Sequence, residues 1–338
     1  MWFKNGTGNE GTDKMTGTDP APTRAAATMV SSDLTVKTAW LYYVEGLTQE
    51  QIAEKLNVTR VKVMRMLASC TAEGLVVTTI NAQTARQVEL ERELEKRFGL
   101  DAAIVVPTPS GDEHLERSIG HAVALYLDEQ MQDGMTLAIG GGATLHSSVG
   151  FLTRRQLKDA SVVALVGSLP HSQWVNPSAV AAKVAEVLGV DSYQLTAPVI
   201  AHSRQLRDML WMQPELVDVR TRAASADIAL LTVGEMSANA TIFRHGIVPQ
   251  SVVAPLKAKG AVANMLCYFL DAEGKLVEHE VNDRVMAVDL ATVSAVPNLV
   301  LAAGGKRKIP AIRAALGAVK ANVLITDGDS AQALAHSR

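Results

Sequence analysis

Arg60, Lys62 and Arg65 lie within TQEQIAEKLNVTRVKVMRMLAS, residues 48–69, and no acidic side chain falls between Lys55 and Thr71. Cations set close together on one short helix can bind the phosphates of a nucleic acid, which supply most of the affinity. Long side chains near the helix start reach base edges. Thr48, Gln49 and Thr59 are the polar side chains placed to assist them. A second set rests on glycine. Four apolar runs finish in it: TLAIG at Gly140, VVALVG at Gly167, IALLTVG at Gly234 and LVLAAG at Gly304. Glycine at the carboxyl end of a strand lets backbone approach a small molecule closely, and crevices at such ends are where open α/β sheets bind ligands.

The first set needs two helices and a tight turn. Thr48 with Gln51 three positions on is a capping box, so a helix starts at Thr48. Ile52, Ala53 and Leu56 share its apolar face, and Asn57 ends it in a position that tolerates left-handed geometry. Val58 returns to the core and Thr59 caps a second helix. Its buried stripe is Val63, Met66 and Leu67, which leaves Arg60, Lys62 and Arg65 pointing elsewhere. The bland alternative is a helical hairpin whose polar face happens to be basic. Upstream, Asp33 caps a helix running through Ala39, Trp40 and Tyr43 to Glu45 and ended by Gly46. Downstream, Val76 to Ile80 is a β-branched run that suits a small strand or wing.

The second set needs a mostly parallel sheet, because short continuous apolar runs alternate with helix-like segments after Gly99. Gly140, Gly141, Gly142, Ala143 and Thr144 leave a strand and enter a helix, exposing amide donors and a hydroxyl beside the positive end of the helix dipole. A phosphate or a polyol hydroxyl fits there. The spacing is neither a dinucleotide fingerprint nor a Walker A loop, so nucleotide binding is disfavoured. Gly304, Gly305, Lys306, Arg307 and Lys308 precede a helix from Ile309, and cations at a helix start cost a few tenths of a kcal/mol or more unless an anion is bound. Ser168 and Glu235 follow strand-end glycines directly, and Asn264, Asp283 and Asp289 lie near apolar runs. Any of these could hydrogen-bond hydroxyls; the plain reading of each is a turn or cap residue, as strand-to-helix turns often need glycine anyway.

A chain of 338 residues with 48% hydrophobic and 4% aromatic content fits two domains of unequal size with aliphatic interiors. A formal charge of −3 excludes coating of nucleic acid by bulk electrostatics and leaves a local patch. Cys70 and Cys267 sit far apart in apolar stretches, which suits a reducing cytoplasm and no disulfide. No apolar run approaches the roughly 18 to 20 residues that span a bilayer, and no signal pattern opens the chain. A cytoplasmic protein without membrane contact is expected. The expected organisation is a disordered tail over 1–32, a helix-turn-helix domain over 33–81, a connector helix over 82–98 and an α/β effector-binding domain over 99–338. The connector is amphipathic, with Val88, Leu90, Leu94 and Phe98 among charges. It either lies on the next domain or pairs with another subunit.

The run GLTQEQIAEKLNVTRVKVMRMLASCTAEGLV, from Gly46 to Val76, resembles the opening pattern of the SorC family of sugar-responsive transcriptional regulators. The similarity continues through DGMTLAIGGGATL, ADIALLTVGEM, LKAKGAVANMLCYFLDAEG and NLVLAAGGKRKIPAIRAALG. It implies a Rossmann-like α/β effector domain similar to phosphosugar isomerases and deaminases, a sugar, polyol or phosphosugar effector, operator double-stranded DNA as partner, and a homo-oligomer, dimer or tetramer. No cofactor or metal is implied. By position, Gly140 to Thr144 match the family's first effector loop and Lys308 the lysine of its GGxxK loop. Asn264 stands where many members have Asp, and the first loop lacks the usual aromatic. The departures favour an unphosphorylated polyol or sugar acid.

Two function classes follow, with a sugar-binding module that serves a partner other than DNA as a third reading. One is a ligand-gated DNA-binding regulator of a carbohydrate or polyol catabolic operon. The other is an isomerase- or deaminase-like enzyme, which needs a positioned acid/base pair; no compact carboxylate or histidine cluster stands near the glycine rims, and His146, His171 and His202 are scattered. The regulator is the leading reading.

Overall fold

The computed structural model describes residues 24–72, 75–76, 85–169 and 176–336. The chain divides into two units, residues 1–81 and 82–338.

The first unit holds α1 (Arg24–Tyr43), α2 (Gln49–Lys55) and α3 (Arg60–Ala72). Thr48 caps α2 through a complete capping box: its hydroxyl accepts from the Gln51 N–H at 3.3 Å, and its own N–H donates to Gln51 Oε1 at 2.8 Å. Asn57 takes φ +49°, and the Thr59 hydroxyl accepts from the Lys62 N–H at 3.2 Å. Leu41, Ile52, Val63, Met66 and Leu67 form the core of the unit. One expectation is corrected. The helix before this pair starts at Arg24, so Asp33 lies inside it and the irregular tail does not run to residue 32. The sequence RAAATM supplies good helix formers that the Gly- and Thr-rich residues before it obscured. The proposed wing at Val76 to Ile80 falls mostly outside the described residues.

The second unit is a three-layer α/β domain. Its strands are β1 (Ala102–Val106), β2 (Thr136–Ile139), β3 (Ser161–Ala164), β4 (Asp191–Tyr193), β5 (Ile228–Leu231), β6 (Gly234–Glu235), β7 (Ala263–Met265), β8 (Tyr268–Leu270), β9 (Asn298–Ala302) and β10 (Val323–Asp327). Seven form one parallel sheet in the order β1-β10-β9-β5-β2-β3-β4. Alternate side chains serve opposite faces, as the pleat requires. Ile228 and Leu230 of β5 pack with Ile119, Val123 and Leu127 on one side, while Ala229 and Leu231 pack with Leu216, Val219 and Ile312 on the other. Both faces are thus covered, which explains runs without polar alternation. The remaining strands, β6, β7 and β8, form a small antiparallel sheet.

The amphipathic helix α4 (Ala85–Phe98) buries Leu90 and Leu94 in the core of this second unit. It also closes an edge. The Ala103 and Val105 N–H groups of edge strand β1 donate to Glu95 Oε1 at 3.1 Å and Glu91 Oε1 at 3.0 Å. A strand that would otherwise offer free donors is capped by carboxylates. Among the described residues, no helix is long and apolar enough to cross a membrane.

Candidate functional site

The four glycine-ended runs are the contiguous central strands β9, β5, β2 and β3. From β2 the chain moves outward through β3 to β4. From β5 it moves the other way, to β9 and β10. The carboxyl ends of the neighbours β2 and β5 therefore splay at a topological switch point, where a doubly wound sheet has its crevice. A cavity of about 550 Å³ opens there. Its walls come from residues 141–144 after β2, residues 232–235 after β5, the 239–247 segment, Asn264 and the tip of the β7–β8 turn, and Arg307 and Lys308 after β9.

Thr232 holds the first wall in place by donating its hydroxyl to the Gly141 carbonyl at 2.7 Å. Gly142 follows at φ +121° and ψ 165°, a conformation open to glycine alone, and a Cβ there would stand 2.9 Å from the Thr232 hydroxyl. The turn between β7 and β8 is made by Leu266 and Cys267 at φ +50° and +67°, two side chains in left-handed backbone at the cavity wall. Burial pushes the Cys267 thiol up to about 12, so it stays protonated at neutral pH and is no nucleophile.

The GGKRK loop is organised by Asp327, fully buried at the end of β10. Its Oδ1 accepts the Gly305 N–H at 2.8 Å, and its Oδ2 accepts the Thr108 hydroxyl at 3.0 Å and the Ser330 N–H at 3.2 Å. A Cβ on Gly304 would run into this carboxylate, so that glycine serves packing. Lys306 Nζ lies 3.1 Å from Asp329 Oδ2, and Arg307 Nε lies 3.9 Å from Glu235 Oε1. Lys306 and Arg307 therefore find carboxylates of the chain itself, and their placement does not by itself call for a bound anion. Lys308 is half-buried and lines both the main cavity and a smaller one of about 300 Å³ beside it.

Of the effector candidates, the structure brings Gly141, Gly142, Ala143, Thr144, Gly234, Glu235, Asn264 and Lys308 to the main cavity, and Gly304 to the smaller one. Glu235 is 16% exposed and accepts from the Ser237 hydroxyl at 3.0 Å. Asn264 stands opposite Gly234 in the β6–β7 register and donates to the Glu235 carbonyl at 3.4 Å. Five candidates do not line either cavity. Gly140 donates its N–H to the Leu230 carbonyl at 3.0 Å and belongs to the sheet. Gly167 and Ser168 are drawn into backbone pairing, with N–H donation to Met286 and Ala197 carbonyls at 2.8 and 2.7 Å. Asp289 is the cap of the Leu290–Ser294 helix, accepting from the Thr292 N–H at 2.8 Å, and Asp283 sits in a helical turn at Asn282–Arg284. Sequence reasoning missed Asp327 and also Glu116, which lines both cavities. The only signal for Asp327 is its place between a β-branched run and a glycine, and Glu116 had none.

Of the three histidines singled out in the sequence, the two among the described residues do not come together. His146 Nε2 lies 3.4 Å from Lys183 Nζ, and burial first, then that cation, holds its pKa down. The His202 carbonyl accepts from Arg284 at 3.4 Å, while His171 lies outside the described residues. Among the described residues there is no metal-binding group of His, Cys, Asp and Glu.

On α3 the buried stripe is Val63, Met66, Leu67 and Cys70. At 100° per residue, Val61, Met64 and Arg65 centre on the opposite side, with Arg60 and Lys62 on the two flanks. All five are exposed, Val61 by 55% and Met64 by 47%. Thr48 and Thr59 are exposed caps and Gln49 is half-buried at the start of α2. Arg60 meets Glu50 at 2.7 Å in an exposed pair, a weak interaction that a phosphate can replace.

The Sugar-bind family model, which describes a sugar-binding domain, matches residues 82–335. The erythritol catabolism regulatory protein EryD of Brucella abortus is 31% identical over 304 residues, covering 89% of this chain and 96% of the relative. The deoxyribonucleoside regulator of Bacillus subtilis is 31% identical over 303 residues, again with 89% and 96% coverage. The chain belongs to the SorC family of sugar-binding transcriptional regulators. The full-length sorbitol operon regulator SorC from Klebsiella pneumoniae has the same fold, with a TM-score of 0.72 at 23% identity over 90% of this chain and 98% of that one. The relatives of this SorC-family chain are regulators, which decides between the two classes left open by the sequence: it is a transcriptional regulator and not an isomerase or deaminase.

Proposed function

We propose that the chain binds operator DNA through α3 and that a sugar, polyol or phosphosugar in the 141–144, 234–235, 264 and 308 cleft changes the affinity of that binding. The carrying observation is the face of α3. Its buried stripe leaves Arg65, Val61 and Met64 outward in the centre and Arg60 and Lys62 at the flanks. Flanking cations position a duplex through phosphates, while the central side chains read base edges and thymine methyls. Thr48, Gln49 and Thr59 lie where helix-turn-helix modules touch the backbone.

The effector reading is supported by a cavity at the switch point whose walls mix amide donors, carboxylates, an amide side chain and an ammonium group. The relatives named for erythritol and deoxyribonucleosides are named for polyhydroxylated compounds. Operators read by such modules present two half-sites, so the chain works as a homo-oligomer in the cytoplasm, where the DNA is.

Fluorescence anisotropy with a labelled duplex from upstream of the gene tests the DNA half. Lys62→Ala weakens binding across all sequences and lowers the salt slope by about one, whereas Arg65→Ala reduces discrimination between operator and scrambled DNA by about 1–3 kcal/mol. Unchanged binding by the double variant would remove α3 from the interface.

A further inference from the structure

The charges around the two joined cavities are balanced. Arg244, Lys306, Arg307 and Lys308 face the same space as Glu116, Glu235, Asp327 and Asp329. Most of these are already engaged: Lys306 with Asp329, Arg307 near Glu235, and Asp327 with the Gly305 and Ser330 N–H groups and the Thr108 hydroxyl. Arg244 is exposed. That leaves Glu116 and Lys308. Both are half-buried, both line both cavities, and neither side chain has a hydrogen-bond or ion-pair partner among the described residues. If they were a structural pair they would touch, as Lys306 and Asp329 do.

Half-buried charges without partners in a cleft of ligand size are groups kept for a ligand. Their chemistry says which kind. A phosphate monoester carries a charge of about −1.5 to −2 at neutral pH and offers acceptor oxygens. Carboxylates are acceptors too. A phosphate between Glu116 and Glu235 would meet like charge and lone pairs, and among the described residues the cleft has no surplus of cations to compensate. A hydroxyl both donates and accepts, so successive hydroxyls can give a hydrogen bond to a carboxylate and take one from an ammonium or amide. Asn264 adds a neutral group to the same wall.

We infer that the cleft selects an uncharged polyhydroxylated molecule, a polyol or free sugar, over its phosphate ester, and that Glu116 enforces the choice by accepting hydroxyl hydrogen bonds opposite Lys308. This rests on the cleft being the effector site and narrows the class of effector. Glu116 repels the phosphorylated form and is the residue whose charge sets the preference.

The test uses the full chain and matched pairs at equal concentration: erythritol and erythritol 4-phosphate, ribitol and ribitol 5-phosphate, sorbitol and sorbitol 6-phosphate, 2-deoxyribose and 2-deoxyribose 5-phosphate. Thermal-shift measurement finds the pair that stabilises, and titration calorimetry gives both affinities. The free compound of that pair binds more tightly than its phosphate. Glu116→Gln, which keeps the side-chain shape, weakens the free compound about tenfold and narrows or reverses the preference. A phosphate ester that binds the wild-type chain more tightly than its free partner overturns the inference and leaves the effector cleft standing. Affinity for the free compound unchanged in Glu116→Gln overturns the role of Glu116. A panel in which nothing stabilises the chain overturns the inference, and if operator affinity is also unmoved by every compound, the effector reading falls with it.

Discussion

Replacing Asp327 with Asn tests whether the GGKRK loop is held from beneath. The carboxylate accepts three donors, the Gly305 N–H on one oxygen and the Thr108 hydroxyl and Ser330 N–H on the other. An Asn side chain keeps one oxygen and turns an NH2 group toward whichever donor faced the second. With the oxygen on the Oδ1 side, the Ser330 N–H confronts the NH2. With it on the Oδ2 side, Gly305 does, although its N–H keeps the Ser330 hydroxyl at 2.8 Å. The Thr108 hydroxyl cannot freely turn to help, because it already accepts the Asp329 N–H at 2.8 Å. One buried donor left facing a donor costs about 1–3 kcal/mol, and loss of charge from the surviving bonds adds about 1 kcal/mol. A total of about 2–4 kcal/mol lowers the melting temperature of a unit this size by about 5–15 °C. Calorimetry of the full chain reads that shift, and titration at a temperature below melting reads a loss of effector affinity through displaced Lys308, with DNA affinity in the absence of effector unchanged. A melting temperature within about 2 °C of wild type would show that Asp327 does not hold the loop.

Two further outcomes follow from single groups. Gly142→Ala forces φ +121° on a residue with a Cβ and displaces the Thr232 hydroxyl from the Gly141 carbonyl, so urea unfolding shows a loss of about 2–4 kcal/mol; a loss under about 0.5 kcal/mol would contradict it. Glu91, which accepts from the edge strand, has its pKa raised, by burial first and by Glu95 as well, against the lowering effect of the Val105 hydrogen bond. A raised carboxyl pKa contributes stability that is full below the unfolded value and is lost as pH rises through the folded one. Glu91→Gln removes that dependence, so its melting temperature improves relative to wild type between about pH 4 and pH 8; a constant or opposite difference would show that the Glu91 carboxylate is not disfavoured in the fold.

Local rules carried much of this fold. A capping box at Thr48 and Gln51, a left-handed Asn57 and apolar spacing on α3 are decided within a few residues, and the sequence shows them directly. The buried strands were also visible, because residues covered on both faces need no polar alternation. What stayed hidden depends on which strand lies beside which. Gly140 and Gly167 look like their neighbours in sequence, yet one pairs with Leu230 and the other with Met286, and only Gly141, Gly142 and Gly234 reach the main cavity. Asp327 reads as a turn residue until β10 is placed beside β9, where its carboxylate meets Gly305. The cations of the GGKRK loop suggested an anion because Asp329 and Glu235 are distant in sequence and close in space.

DNA and a polyhydroxylated effector compete or cooperate through one protein. Linkage requires the effect to be reciprocal. Operator affinity measured by anisotropy with and without saturating effector, and effector affinity measured by calorimetry with and without operator, should change by the same factor, of about 5 to 150. Effector binding in the cleft with constant operator affinity would mean that the two sites are not coupled.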